Sequence, residues 1–141
     1  MKSEINIILK NKFDELSKMS ESVNSFAETN SLNDEIKHDI KLALDEIITN
    51  IISYAFDDDN EHEISVKICI DNNKLSINIE DDGKPFDPLE YPPPDTTKPL
   101  EERDIGGLGV FFVRELMDEI EYKRKENKNI LTITKSISVN S

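Results

Sequence analysis

The sequence predicts an α+β two-layer sandwich, a mostly antiparallel sheet covered on one face by helices. Three observations lead there. Apolar residues alternate with mostly polar ones at the start, middle and end of the chain, the period of half-buried strands. Two long segments between Lys10 and Phe56 carry apolar residues at helical spacing instead. All four glycines and all six prolines fall between Gly83 and Gly109, so the punctuation of the chain is gathered into one long loop. Helices and strands therefore segregate into one layer each. At 141 residues a single domain over 1–141 is expected, with a lid over about 84–105.

Ile5, Ile7 and Leu9 alternate with mostly polar neighbours and predict a first strand. From Lys10 to about Thr29, Phe13, Leu16, Val23, Phe26 and Ala27 predict an amphipathic helix. Ser31, followed by Asp34 and Glu35, is the expected cap of the next helix. That helix, about Leu32 to Phe56, is apolar nearly all round and is expected to be largely buried. Asp57 to Asn60 reads as a solvated turn, and His38 and His62 as surface residues. Ile64, Val66, Ile68 and Ile70 form a second strand, Asp71-Asn72-Asn73 a hairpin turn, and Leu75, Ile77 and Ile79 a third strand. After the loop, Val110 to Met117 is predicted helical, with strands over Glu119–Arg124 and Asn129–Ser138.

The net charge of -13 argues against a nucleic-acid phosphate backbone as partner. A small anion stays admissible where local donors and a cation screen it. The single cysteine, Cys69, supplies no disulfide or metal framework and fits a reduced cytoplasmic compartment. No apolar run approaches membrane-spanning length and the first residues lack a signal peptide's apolar core, so no membrane association is expected.

Three places could carry chemistry. Glu46 and Asn50 are four residues apart, hence on one face of the buried helix; the bland alternative is an exposed seam with no role. Continuing the strand parity Leu75, Ile77, Ile79 turns Asp81 inward, two residues before Gly83. It is a candidate ligand-binding carboxylate, or equally a cap for nearby loop N–H groups. Gly106-Gly107-Leu108-Gly109 opens a helix and offers N–H groups and a positive dipole end to an anion.

In this order and fold context the three signals resemble the N, G1 and G2 boxes of the GHKL ATPase superfamily (Bergerat fold). Within it the chain is most similar to anti-sigma factor serine-protein kinases of the RsbW type. Thr96-Thr97-Lys98-Pro99 and Glu102-Arg103 ahead of the glycines add to the likeness, which covers about Asp34 to Lys135. The resemblance implies ATP and Mg²⁺ as cofactors, with Asn50 on the metal and Glu46 as general base. It further implies that Asp81 accepts from the adenine amino group and that Gly83 lets the base approach. Gly106, Gly107, Leu108 and Gly109 would hold the phosphates, and Lys98 and Arg103 would lie over the γ-phosphate. The implied substrate is a serine of a STAS-domain anti-anti-sigma protein. The implied second partner is a sigma factor or other effector, and the implied assembly is a homodimer. The chain departs from the pattern at Tyr54, where many relatives have histidine. It departs again at Pro85, which replaces a glycine, and at Asp104-Ile105, which lengthens the gap after Arg103. A nucleotide-sensing binding module without phosphotransfer is the alternative. A detached histidine-kinase catalytic domain is a third reading, against which Thr97-Lys98-Pro99 and Glu46 both speak.

Overall fold

The computed structural model describes residues 2–89 and 112–137. Strands β1 (Lys2–Lys10), β2 (Glu63–Asp71), β3 (Lys74–Asp81), β4 (Glu119–Lys125) and β5 (Lys128–Ser136) form one sheet in the order β1-β2-β3-β5-β4. Every neighbouring pair is antiparallel. The two-layer α+β architecture follows, because helices α1 (Leu16–Thr29) and α2 (Asp34–Tyr54) pack on one face. Each strand turns alternate residues inward: Ile7 and Leu9, then Ile64 to Ile70, then Leu75 to Ile79, then Leu131 and Ile133. Both tight hairpins use left-handed backbone at their tips, at Asn72 (φ 58°) and at Glu126 and Asn127 (φ 53° and 65°).

Helix α2 is the centre of the core. Ile40, Ala43, Leu44, Ile47, Ile48 and Ile51 are all at most 1% exposed. Each large aliphatic side chain contributes ~1.5–3 kcal/mol by its burial, so apolar contact fixes the helix against the sheet. Polar residues on α2 are thereby held rigidly wherever its period puts them.

Two expected boundaries shift, each for a physical reason. The first helix starts at Leu16 and not at Lys10, because β1 stays paired with β2 up to Lys10 opposite Glu63. A short 3-10 turn, Phe13–Glu15, then reverses the chain, with Glu15 accepting from the Lys10 N–H. The cap of α2 is Asn33 and not Ser31: the Asn33 side chain accepts from the Ile36 N–H at 2.8 Å. Ser31 already ends α1. At φ 55° it occupies the left-handed position after the helix, and the Leu32 N–H bonds back to Ala27 O at 2.9 Å.

Candidate functional site

Glu46 and Asn50 lie one turn apart on α2, as their spacing requires. Asn50 is buried, and Glu46 is half-buried beside it. The Asn50 amide nitrogen donates to Pro88 O at 3.0 Å and to Glu46 Oε1 at 3.4 Å. Those two bonds spend the amide nitrogen. They leave Oδ1, a neutral oxygen donor, without a partner among the described residues.

Asp81 continues the inward parity of β3 and is 3% exposed, at the polar end of an apolar strand. Its Oδ1 accepts from the Gly83 N–H and from the Asn129 side-chain amide, both at 2.9 Å. Every buried side-chain polar atom among the described residues has a partner, so Oδ2, which takes neither bond, reaches solvent. The capping alternative is therefore realised through Oδ1, while Oδ2 stays open. Burial pushes the Asp81 carboxyl above the usual carboxylate range, and the neighbouring Asp82 adds to the rise. The Asn129 amide, the Gly83 N–H and the Arg124 charge pull the other way.

Gly83 has a packing reason to be glycine. A Cβ there would sit well inside van der Waals contact with Ala55 O, at the end of α2. The adjacent Lys84 N–H donates to that same carbonyl at 2.9 Å. Thus the turn after Asp81 is stitched to the C-terminus of the helix that carries Glu46 and Asn50.

Sequence reasoning passed over the residues that hold this turn from the other side. Asn129, 2% exposed, stands opposite Asp81 in the β3–β5 register. Besides Asp81, its amide nitrogen donates to Lys84 O at 2.8 Å, and its oxygen accepts from the Phe86 N–H at 3.1 Å. Tyr122 Oη and Arg124 Nη1 donate to the same Asn129 oxygen. Arg124 also donates to Gly83 O at 2.7 Å. A signal was there to be read. Stepping back from Leu131 by the strand period turns Asn129 inward, and stepping on from Ile120 turns Tyr122 and Arg124 inward.

The turn runs on to Pro88 and Leu89, which root the long loop. Pro88 is tied to Asn50, and Leu89 O accepts from Arg114 at 3.2 Å in the helical segment 112–116. The structure thus joins Glu46, Asn50 and the loop root directly, and connects them to Asp81 through residues 83–88. Lys98, Arg103, Gly106, Gly107, Leu108 and Gly109 lie outside the described residues, as does most of the lid.

A cleft of about 460 Å³ opens beside Asp81, lined by Asp81 together with Glu61, His62, Glu63, Ser65, Glu80, Asp82 and Lys128. Its carboxylates repel phosphate, so it does not suit the phosphate end of a nucleotide. His62 borders it and is more engaged than an isolated surface residue. It bonds Asp58 at 2.7 Å and Asp82 at 3.0 Å and stacks on Phe56. Among the described residues no three His, Cys, Asp or Glu side chains gather as a metal site. No helix among them is long and apolar enough to cross a membrane.

Comparison with known proteins gives this geometry a context. The family profile described as "Histidine kinase-like ATPase domain" matches residues 9–135. "Serine-protein kinase RsbW" of Listeria monocytogenes serovar 1/2a is 34% identical over 108 residues, 74% of this chain and 68% of that protein. The protein of the same name from Bacillus thuringiensis strain Al Hakam is 34% identical over 97 residues, 66% of this chain and 60% of the relative. The crystal structure of the RsbU and RsbW domains of a Mycobacterium tuberculosis protein superposes with a TM-score of 0.71 at 13% identity. That match takes in 99% of this chain and 34% of the larger one, and at such identity it speaks for the fold alone. The chain belongs to the histidine kinase-like ATPase domain family, in its RsbW-type group.

Proposed function

We propose that this protein is an ATP- and Mg²⁺-dependent serine kinase and anti-sigma factor of a partner-switching module. Its substrate is a serine of a STAS-domain anti-anti-sigma protein. The observation that carries the reading is Asn50: its nitrogen is held by Pro88 and Glu46, which turns one neutral oxygen out at the root of the lid. An amide oxygen beside a carboxylate suits a hard cation that keeps several waters, so the donor set fits Mg²⁺ without a dedicated cage. When bound, the metal neutralises developing phosphate charge.

The chain's own residues supply the rest. Asp81 Oδ2 is an acceptor for the amino group of adenine. Glu46, half-buried next to Asn50, takes the proton of the seryl hydroxyl as the new O–P bond forms and the bond to ADP breaks. The N–H groups of Gly106, Gly107, Leu108 and Gly109 are assigned to the phosphates, and Lys98 and Arg103 are assigned as the cations of the γ-phosphate. This local screening lets an anionic nucleotide bind a chain of net charge -13. A homodimer in the cytoplasm that also holds a sigma factor or other effector completes the reading, by the resemblance to RsbW-type anti-sigma kinases; the relatives' name, serine-protein kinase RsbW, supports the kinase part.

The test is calorimetric titration with ATP and ADP, with and without Mg²⁺, followed by transfer to a STAS-domain protein. Micromolar, Mg²⁺-dependent binding is expected, and the transferred phosphate should be stable to acid and labile to alkali. Absence of nucleotide binding would sink the reading. Glu46→Gln should bind ATP and transfer nothing; transfer at the normal rate would remove Glu46 as the base. Nucleotide-dependent partner capture with no transfer by the wild type would instead establish the binding module without phosphotransfer.

A further inference from the structure

Asp81 has two oxygens, and the structure treats them differently. Oδ1 faces two donors, the Gly83 N–H and the Asn129 amide. Oδ2 takes neither bond and reaches solvent. What fixes that choice is the orientation of the Asn129 amide, because a flipped amide would present an acceptor to a carboxylate. The flip is blocked from the β4–β5 hairpin. Tyr122 Oη, Arg124 Nη1 and the Phe86 N–H all donate to the Asn129 oxygen, so that end cannot become the NH₂ end without setting donor against donor. On the nitrogen side, Asp81 Oδ1 and Lys84 O are both acceptors. The network is buried at Asp81 and Asn129, partly buried at its bonds from Tyr122 and Arg124, and satisfied throughout, and such networks specify one arrangement.

We infer that Asn129, locked by Tyr122 and Arg124, is a positioning residue that makes Asp81 a one-sided acceptor and so gives the pocket its preference for an amino-bearing purine over an oxo-bearing one. This rests on the nucleotide reading above. Adenine offers an N–H donor at the position where hypoxanthine carries a carbonyl oxygen. A fixed, unshared carboxylate oxygen rewards the first and repels the second. Without the Asn129 amide the carboxylate can rotate or take up a proton, and a protonated oxygen would tolerate the oxo group.

The experiment is titration of the full chain with ATP and with ITP, for wild type, Asn129→Ala, Tyr122→Phe and Asn129→Asp. Wild type should prefer ATP. Asn129→Ala should lower the ATP:ITP affinity ratio about tenfold, the scale of one hydrogen bond to a charged group. A merely structural loss would weaken both nucleotides alike and leave the ratio unchanged, which would overturn the inference. Tyr122→Phe removes one of the three donors that hold the amide without touching Asp81 and should shift the ratio in the same direction by less. If Asn129→Ala does not fold, an unchanged ratio in Tyr122→Phe together with a flat pH profile in Asn129→Asp overturns the inference. Asn129→Asp sets a second carboxylate against Asp81, near Asp82, Arg124 and Tyr122. Its ATP affinity should be poor at about pH 8 and recover towards about pH 6, as the pair takes up one shared proton and regains a donor. A flat profile would count against the role. If wild type bound neither nucleotide, the nucleotide reading would fail and take this inference with it. If wild type discriminates and the variants do so equally, only the inference falls.

Discussion

Asp81 and Asp82 are neighbours in the chain and opposites in surroundings. Asp81 points into the sandwich, 3% exposed, and its carboxyl is pushed up by burial. Asp82 points out, about half exposed, and is paired with His62. One residue of strand period separates a group held against its own preference from a group resting at a solvated ion pair. A binding site accumulates the first kind, since an unsatisfied acceptor is what a ligand can use. A folded surface accumulates the second, and such exposed pairs add little stability. Mutations on either side of this boundary should separate function from stability.

The largest effect belongs to Asp81→Asn. Oδ1 of the new amide can keep its bonds to Gly83 and Asn129, which puts an NH₂ where Oδ2 stood, facing another donor on adenine. ATP affinity should fall by about tenfold to a hundredfold, the loss of a charge-assisted bond of ~1.5–3 kcal/mol. The fold should become more stable in the same variant. A carboxyl whose pKa is raised on folding contributes stability below its unfolded pKa, and that contribution is lost as pH rises through the folded value. At neutral pH the wild type carries this cost and the amide does not. Thermal melting at pH 7 should therefore rise as binding falls; a lower Tm would mean the carboxylate is a structural necessity.

Next comes Gly83→Ala, which acts from the middle of the boundary. Its Cβ would press on Ala55 O, a backbone atom at the end of α2 that cannot yield as a side chain would. A cost of ~1–3 kcal/mol is expected, typical of overpacking. Because the same turn connects Asp81 to the loop root at Pro88, ATP affinity should fall with it. Urea denaturation and nucleotide titration on one preparation check both. A neutral variant would show that the turn moves freely off the helix.

How far these features were legible in the sequence depends on whether they arise from one element or from two. The alternation that ends in Asp81, and the spacing of Glu46 and Asn50, are properties of single elements, and both read correctly. Asn129 obeys the same parity but follows Asn127 and Lys128, where polar residues pass as turn chemistry. Its partner lies 48 residues away and appears only once β3 and β5 are in register. The cap of α2 failed for a related reason. Ser31 and Asn33 are both good caps, and the choice was made by the end of α1, which had already claimed Ser31. Gly83 read as the glycine that lets a base approach, whereas a further constraint on it comes from a carbonyl on a different element. The lid's glycines and cations, conspicuous in the sequence, lie outside the described residues.

The smallest effect is on the outer side. His62, with its side chain 17% exposed, is bonded to Asp58 and Asp82, and these carboxylates raise its pKa, the Asp58 bond most and burial opposing it. A histidine raised on folding stabilises the protein fully below its unfolded value near 6.5, and the gain is lost as pH climbs through the folded value. Wild type should therefore melt somewhat higher at about pH 6 than at about pH 8, by an amount that added salt reduces. Asp82→Asn removes one partner and should flatten that slope while leaving ATP affinity within about twofold, since Asp82 faces away from the pocket. The same substitution takes a negative charge from beside Asp81 and relaxes the upward push on its carboxyl. A large loss of ATP affinity in Asp82→Asn would break the separation, for then the outer pair would be holding the inner carboxylate in place.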